Sequence, residues 1–213
     1  MKRGILIGSG NTDLVGQELM AEGTWIVKEI KVVEYNPCWQ SEFEKASKFY
    51  GKLLETLKVR IEHVGSTAVK GLWAKPILDI DIIVPDLAVS ASVINRLKGV
   101  GYEHVGNYGV EGREAFKYSD DNGHICWMAH HLYVCLEGSE NLNNHLMLRN
   151  HLRHHPSAVR AYSQLKQELA SKFPNDMDGY IDGKTELITS FLIKEGMDIG
   201  ALKRITEINK KES

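Results

Sequence analysis

Two aspartates one residue apart, Asp79 and Asp81, stand in an otherwise apolar run, Ile77-Leu78-Asp79-Ile80-Asp81-Ile82-Ile83-Val84. On a β-strand alternate residues share a face. Leu78, Ile80, Ile82 and Val84 then form one apolar face, and the two carboxylates become neighbours on the other, roughly 6 to 7 Å apart along the backbone. Asp is a poor strand former, and like charges side by side on a mostly buried strand repel. A cation between them relieves the repulsion, and hard oxygen ligands with open positions suit Mg2+ or Mn2+. The bland alternative is an edge strand with a solvated polar side. Upstream, Gly65-Ser66 follows a strand-like segment and precedes a short helical one. Backbone N–H groups at such a turn can cradle phosphate, and Gly lets the backbone approach a ligand closely. Lys75 precedes the first aspartate by one helical turn's length of chain, where it would assist at the phosphates or form a salt bridge. A phosphate cradle facing two metal carboxylates is the layout of metal-assisted phosphoryl or nucleotidyl transfer.

The Gly65-Ser66 and Asp79-x-Asp81 pair resembles the signature of the polymerase-beta-like nucleotidyltransferase superfamily. More narrowly, several segments resemble the GrpB family of predicted nucleotidyltransferases. They are Tyr35-Asn36-Pro37-Cys38-Trp39, the run from Ile61 through Gly65-Ser66-Thr67-Ala68-Val69 to Leu72, Ala74-Lys75-Pro76, His131-Leu132-Tyr133-Val134, Leu148 to Arg153, and Tyr162 to Lys166. The resemblance spans residues 28 to 195 and implies a mixed-sheet catalytic core with a helical C-terminal part. It implies Gly65 and Ser66 at the phosphates of a nucleoside triphosphate, and Asp79 and Asp81 on Mg2+. Cations of the helical part, Arg149, Arg153, Lys166 and Lys184, would then meet the triphosphate, whose developing charge needs compensation. The sequence departs from the pattern twice. No acidic residue sits centrally in 124 to 136, where the superfamily carries a third carboxylate, and His131 takes about that place. Asn150 stands where relatives commonly carry Asp. The expected reaction is Mg2+-dependent transfer of a nucleoside monophosphate from NTP to an unidentified acceptor. Alternatives are a non-catalytic nucleotide-binding module and a structural zinc protein. No GxxxxGK[ST] loop is present, so the chain is not itself a P-loop kinase.

The zinc alternative rests on His130, His131, His145, His151, His154 and His155. His151 and His155 have the i, i+4 spacing of helix-borne ligands, although no HExxH accompanies them and solvated histidines at a helix C-terminus share that spacing. Tyr162 and Tyr180 either stack on a base or pack between helices.

The rest of the chain must position these groups. With Lys+Arg 26 against Asp+Glu 28, a net charge of -2 and a pI near 6.5, no basic excess for duplex DNA exists. No apolar stretch approaches the roughly 18 residues of a membrane span. Cys38, Cys126 and Cys135 form no CxxC and read as reduced thiols of a cytoplasmic protein. The predicted fold class is α+β: an N-terminal extension over 1–24, a nucleotidyltransferase-like core over 25–140 and a helical region over 141–213. Gly8-Ser9-Gly10 lacks the third glycine of a dinucleotide loop, because Asp13 stands there; Ile5 to Ile7 would make a short strand. Strands are expected at 25–34, 59–64, 77–84, 113–118 and 124–136, the last two joined by a turn at 120–123. Helices are expected at 42–57 with Ser41 as N-cap, 87–98, 141–153, 157–172 and 177–194, and a short helical or irregular turn at 67–74.

Overall fold

The computed structural model describes residues 17–19, 25–27, 29–118, 128–198, 200 and 202. The glycine-rich segment around Gly8, Cys126 and the expected turn at 120–123 lie outside the described residues. The elements in chain order are β1 (Gln17–Leu19), β2 (Trp25–Val27), α1 (Cys38–Leu53), β3 (Arg60–Val64), β4 (Leu78–Val84), α2 (Leu87–Gly99), β5 (Tyr102–Gly106), β6 (Arg113–Tyr118), β7 (His130–Leu136), α3 (Glu140–His154), α4 (Pro156–Lys172) and α5 (Met177–Lys194). A single 3-10 turn, Ser66–Ala68, follows β3. Among the described residues β1 and β2 pair only with each other. The main sheet is five-stranded and mixed, in the order β3-β4-β7-β6-β5, with β4 parallel to β7 and the other neighbours antiparallel. The expected class, a mixed-sheet α+β core followed by a helical C-terminal region, is borne out.

The alternation read from β4 sets the layering. Leu78, Ile80, Ile82 and Val84 join Leu132 and Val134 of β7, and α1 and α2 cover this face with Trp39, Ala46, Tyr50, Leu54, Val93 and Leu97. At 25 cal/mol per Å2 of apolar surface, each such fully buried side chain is worth about 1.5–3 kcal/mol before entropy is subtracted. The opposite face carries Asp79 and Asp81, with Tyr133 and Cys135 beside them, and the helical region packs there through Leu142. β4 is a central strand, buried along its whole length. This excludes the solvated edge strand as an explanation of the two aspartates.

Local chemistry explains where the elements differ from expectation. α1 starts at Cys38, earlier than the expected 42, because Asn36 Oδ1 accepts from Cys38 N at 2.9 Å and Pro37 has a helical φ. Ser41 is inside the helix and its hydroxyl donates to Cys38 O, so it is not the cap. The strand expected over 25–34 is only Trp25–Val27, plus one isolated bridge from Val33 to Ala74. β7 begins at His130 within the expected 124–136. β5 was not expected: Tyr102-Glu103-His104-Val105-Gly106 has no alternating apolar pattern, as suits an edge strand with only Tyr102 buried. α2 and α5 start where Asp86 and Asp176 accept from Val89 N and Gly179 N, and α4 starts on Pro156.

Candidate active site

β4 presents Asp79 and Asp81 on its helix-covered face, and its register fixes their neighbours. Val64 and Glu62 of β3 lie opposite Asp79 and Asp81, and His131 and Tyr133 of β7 lie beside them. Each carboxylate is held by a histidine. His131 Nδ1 is 3.0 Å from Asp79 Oδ1, and His145 Nδ1, from α3, is 2.7 Å from Asp81 Oδ2. All four side chains are buried. Asp81 Oδ1 is buried with no hydrogen-bond partner, as are both amide atoms of Asn144 on α3. Unpaired polar atoms are costly in a protein interior, and an unpaired carboxylate oxygen such as Asp81 Oδ1 is relieved when a cation meets it.

The Gly65-Ser66 turn abuts this pair directly. Gly65 has φ 68°, and a Cβ there would lie 2.0 Å from Asp79 Oδ2. Only glycine leaves room for the carboxylate and takes this backbone conformation without strain. The turn is braced from three sides. His63 Nε2 and Thr67 Oγ1 are 3.0 Å apart, Thr67 Oγ1 donates to Ile77 O, and Arg153 donates twice to Ala68 O, at 2.9 and 3.1 Å. Burial pushes His63 down to about 4, against partial support from the Asp79 charge. Its ring stacks on Phe43 at 4.5 Å.

Lysines from three elements converge on the same place. Lys166 of α4 donates to Ser66 Oγ at 3.0 Å and lies 4.5 Å over the Tyr162 ring. Lys184 of α5 lies 4.4 Å over the Tyr180 ring, and Lys75, in the segment before β4, reaches Met177 Sδ at 3.7 Å. Lys166 and Lys184 are buried and Lys75 is half-buried. Among the described residues none of the three forms an ion pair, although the Asp79 charge acts on all three. Burial pushes the Lys184 ammonium down to about 7, with Lys75 adding to the effect; burial and then Lys184 push Lys166 well below the usual lysine range. Tyr162 and Tyr180 therefore pack beneath lysines inside the helical layer, the commoner of the two roles open to them.

Arg149 is engaged differently. Its Nη1 donates to Glu62 Oε2 at 2.7 Å and to His63 O at 2.9 Å, and Nε donates to Asn150 Oδ1 at 3.1 Å, so it clamps α3 to β3. The remaining histidines separate. His130 meets Tyr102, and His154 bonds Asn150 O. His151 and His155 come together with Glu195. The structure thus gathers Gly65, Ser66, Lys75, Asp79, Asp81, His131, Lys166 and Lys184. It adds His145, Glu62 and Arg113, the last 4.9 Å over the Tyr133 ring. A signal for the α3 residues was present in the sequence: Asn141, Asn144, His145, Leu148, Arg149 and Leu152 recur at helical spacing, and all are buried.

A family profile described as "GrpB protein" matches residues 29–194. The chain belongs to the GrpB family. A relative named glutamate-rich protein GrpB, from Alkalihalophilus pseudofirmus, is 31% identical over 165 residues, covering 77% of this chain and 94% of its own length. UPF0157 protein YqkA of Bacillus subtilis is 29% identical over 161 residues, and this chain spans about half of that relative, 46%. The crystal structure of conserved protein GrpB from Enterococcus faecalis overlays with a TM-score of 0.66 at 30% identity, covering 82% of this chain and 98% of that one. The GrpB match begins at the strap before α1 and ends with α5, so it encloses every element of the candidate site.

Proposed function

We propose that this GrpB protein is a nucleotidyltransferase that moves a nucleoside monophosphate from an NTP to an acceptor, with Mg2+ or Mn2+ as cofactor. One observation carries the reading: three lysines with no ion-pair partner among the described residues converge beside two neighbouring buried carboxylates. Uncompensated ammonium groups inside a protein are costly, and a polyanionic ligand offsets that cost. The carboxylates alone would repel such a ligand, so a divalent cation is the natural bridge between the two charge sets.

The donor set fits that cation. Asp79 and Asp81 would hold it, and the unpartnered Asp81 Oδ1 is a ligand atom of the right hardness. When bound, it would neutralise phosphate charge and polarise the reacting phosphoryl group. Ser66 and Lys166 would bind the phosphates from the turn side, and Lys75 and Lys184 would stabilise the departing pyrophosphate. His131 and His145 orient Asp79 and Asp81 through their Nδ1 bonds, which leaves His131 in the place of a third carboxylate. That substitution favours a second reading, a module that binds Mg-NTP without turnover. We further propose a cytoplasmic location, an NTP partner and no duplex DNA; the described cysteines, Cys38 and Cys135, are free. No helix among the described residues is long and apolar enough to cross a membrane.

The test is thermal. ATP or another NTP should raise the Tm only when Mg2+ or Mn2+ is present. Asp81→Asn should lose that shift while its stability in EDTA stays within about 1 kcal/mol of wild type, because the amide oxygen still accepts from His145. Equal shifts with and without metal would remove the proposed site. Labelled NTP incubated with a cell extract then separates turnover from binding alone.

A further inference from the structure

We propose that His151, His155 and Glu195 form a second, separate metal site, suited to Zn2+, which fastens the end of α5 to the junction of α3 and α4. One ligand atom from each of the three lies within 4.8 Å of the others. No residue of this trio belongs to the candidate active site.

The local geometry presets the tautomer of one imidazole. His155 Nδ1 is 2.8 Å from the His151 carbonyl oxygen, to which it donates, and this bond fixes the tautomer whose Nε2 lone pair is open. A backbone carbonyl on one ring nitrogen is the usual outer-shell partner of a metal-bound histidine. The His151 ring stacks on Phe191 at 4.8 Å and on His155 at 4.2 Å, with the two imidazole planes 22° apart, so joint ligation requires the His155 ring to swing out of the stack until its Nε2 faces the ion. Its Nδ1 faces Glu195 Oε1 at 2.7 Å. In a tetrahedral zinc site, ligand atoms sit about 3.3 Å apart. The His151–Glu195 pair would open by about half an ångström and give up its shared proton. His155 and Glu195 would close from within the 4.8 Å limit.

The donor chemistry selects the ion. Two imidazoles and one carboxylate favour zinc over Mg2+, which prefers oxygen ligands and keeps its waters. Three protein ligands leave a fourth position for water. Entry is open, because His151 is buried but His155 and Glu195 reach the surface. Each ligand sits at a helix end: His151 in the last turn of α3, His155 directly before Pro156 of α4, and Glu195 directly after Lys194 of α5. A bound ion would cross-link three helix ends that otherwise share the apolar contacts of Leu148, Leu152, Phe191 and Leu192.

The experiment uses the full chain stripped with EDTA and dialysed. Zn2+ should bind stoichiometrically and raise the Tm by about 5 °C or more at a hundredfold excess over its Kd. Co2+ in its place should give the strong visible bands of a four-coordinate centre. His155→Ala and Glu195→Gln should each weaken Zn2+ binding at least about tenfold, while Asp81→Asn leaves it unchanged. Retained binding in His155→Ala and Glu195→Gln would overturn the assignment, and so would loss of binding in Asp81→Asn. Failure of the stripped wild type to take up Zn2+ would overturn it as well. Should His155→Ala fold poorly, Glu195→Gln, at an exposed position past the helix end, decides alone.

Discussion

Lys184→Met should make the ligand-free protein more stable at neutral pH. Lys184 is buried against Tyr180 with no ion-pair partner among the described residues, and its ammonium is pushed from the usual 10.5 down to about 7. At pH 7 the folded group is half deprotonated, and at 1.36 kcal/mol per pH unit the burden on the folded state is about 4 kcal/mol. Methionine matches the length of the apolar stem and carries no charge, but it forfeits the cation–π contact, worth about 2 kcal/mol when desolvated. The net gain is then about 2 kcal/mol. The sign of the pH dependence follows from proton counting. Between pH 7 and 10.5 the unfolded chain holds the Lys184 proton more tightly than the folded one, so wild-type stability rises with pH in that window. The variant should lose up to about 1.4 kcal/mol per pH unit of that slope. Urea unfolding of both proteins at pH 7, 8 and 9 measures it, below the range where unfolded tyrosines ionise. The stabilisation given by Mg-NTP should shrink in the variant, because the anion would then have one ammonium fewer to meet. A variant less stable than wild type at pH 7, with the slope unchanged, would refute the idea that Lys184 is held for a ligand.

Two further outcomes test the turn. Gly65→Ala places a Cβ 2.0 Å from Asp79 Oδ2 at a φ of 68°, and should destabilise the protein by about 3 kcal/mol and abolish the NTP-dependent Tm shift; calorimetry with and without nucleotide checks both. His63, held down to about 4, stays neutral in the fold, so wild-type stability should fall as pH drops from 6.5 toward 4, by about 3 kcal/mol from this group; His63→Gln, followed by denaturant titration at pH 7 and 4.5, should flatten that fall.

The parts of the site that could be read in the sequence are those where two chemical rules collide. Asp79 and Asp81 interrupt an apolar strand, and strand alternation alone places them on one face. Gly65 was legible as a turn, but the neighbour that requires glycine, the Asp79 carboxylate, is set by β3 pairing with β4. The pairing of His145 with Asp81 leaves no trace in the sequence, because the two are 64 positions apart and meet only when α3 packs on the sheet. Lys166 and Lys184 look like solvated helix lysines, since a long cationic side chain normally reaches water; only the packed helical layer shows that they point inward. β5 and the early start of α1 depend on an edge position and on an Asn36 cap, neither of which leaves a periodic trace.

The strap before α1 carries one last consequence, for the order in which the molecule can be assembled. Ile30 N donates to Pro174 O at 2.8 Å, its side chain packs with Leu169, Tyr180 and Ile181, and Val33 bridges Ala74, next to Lys75. During translation at about 5 to 20 residues per second, Ile30 emerges many seconds before Pro174 does. Through that interval a nascent chain can complete the sheet and its α1–α2 side, while Asp79 and Asp81 still face water and the lysines of α4 and α5 have not yet been made. The set of charged groups closes only when α5 docks, so a ribosome-stalled fragment ending before α4 would hold the two carboxylates, Lys75 and the Gly65-Ser66 turn yet lack Lys166 and Lys184.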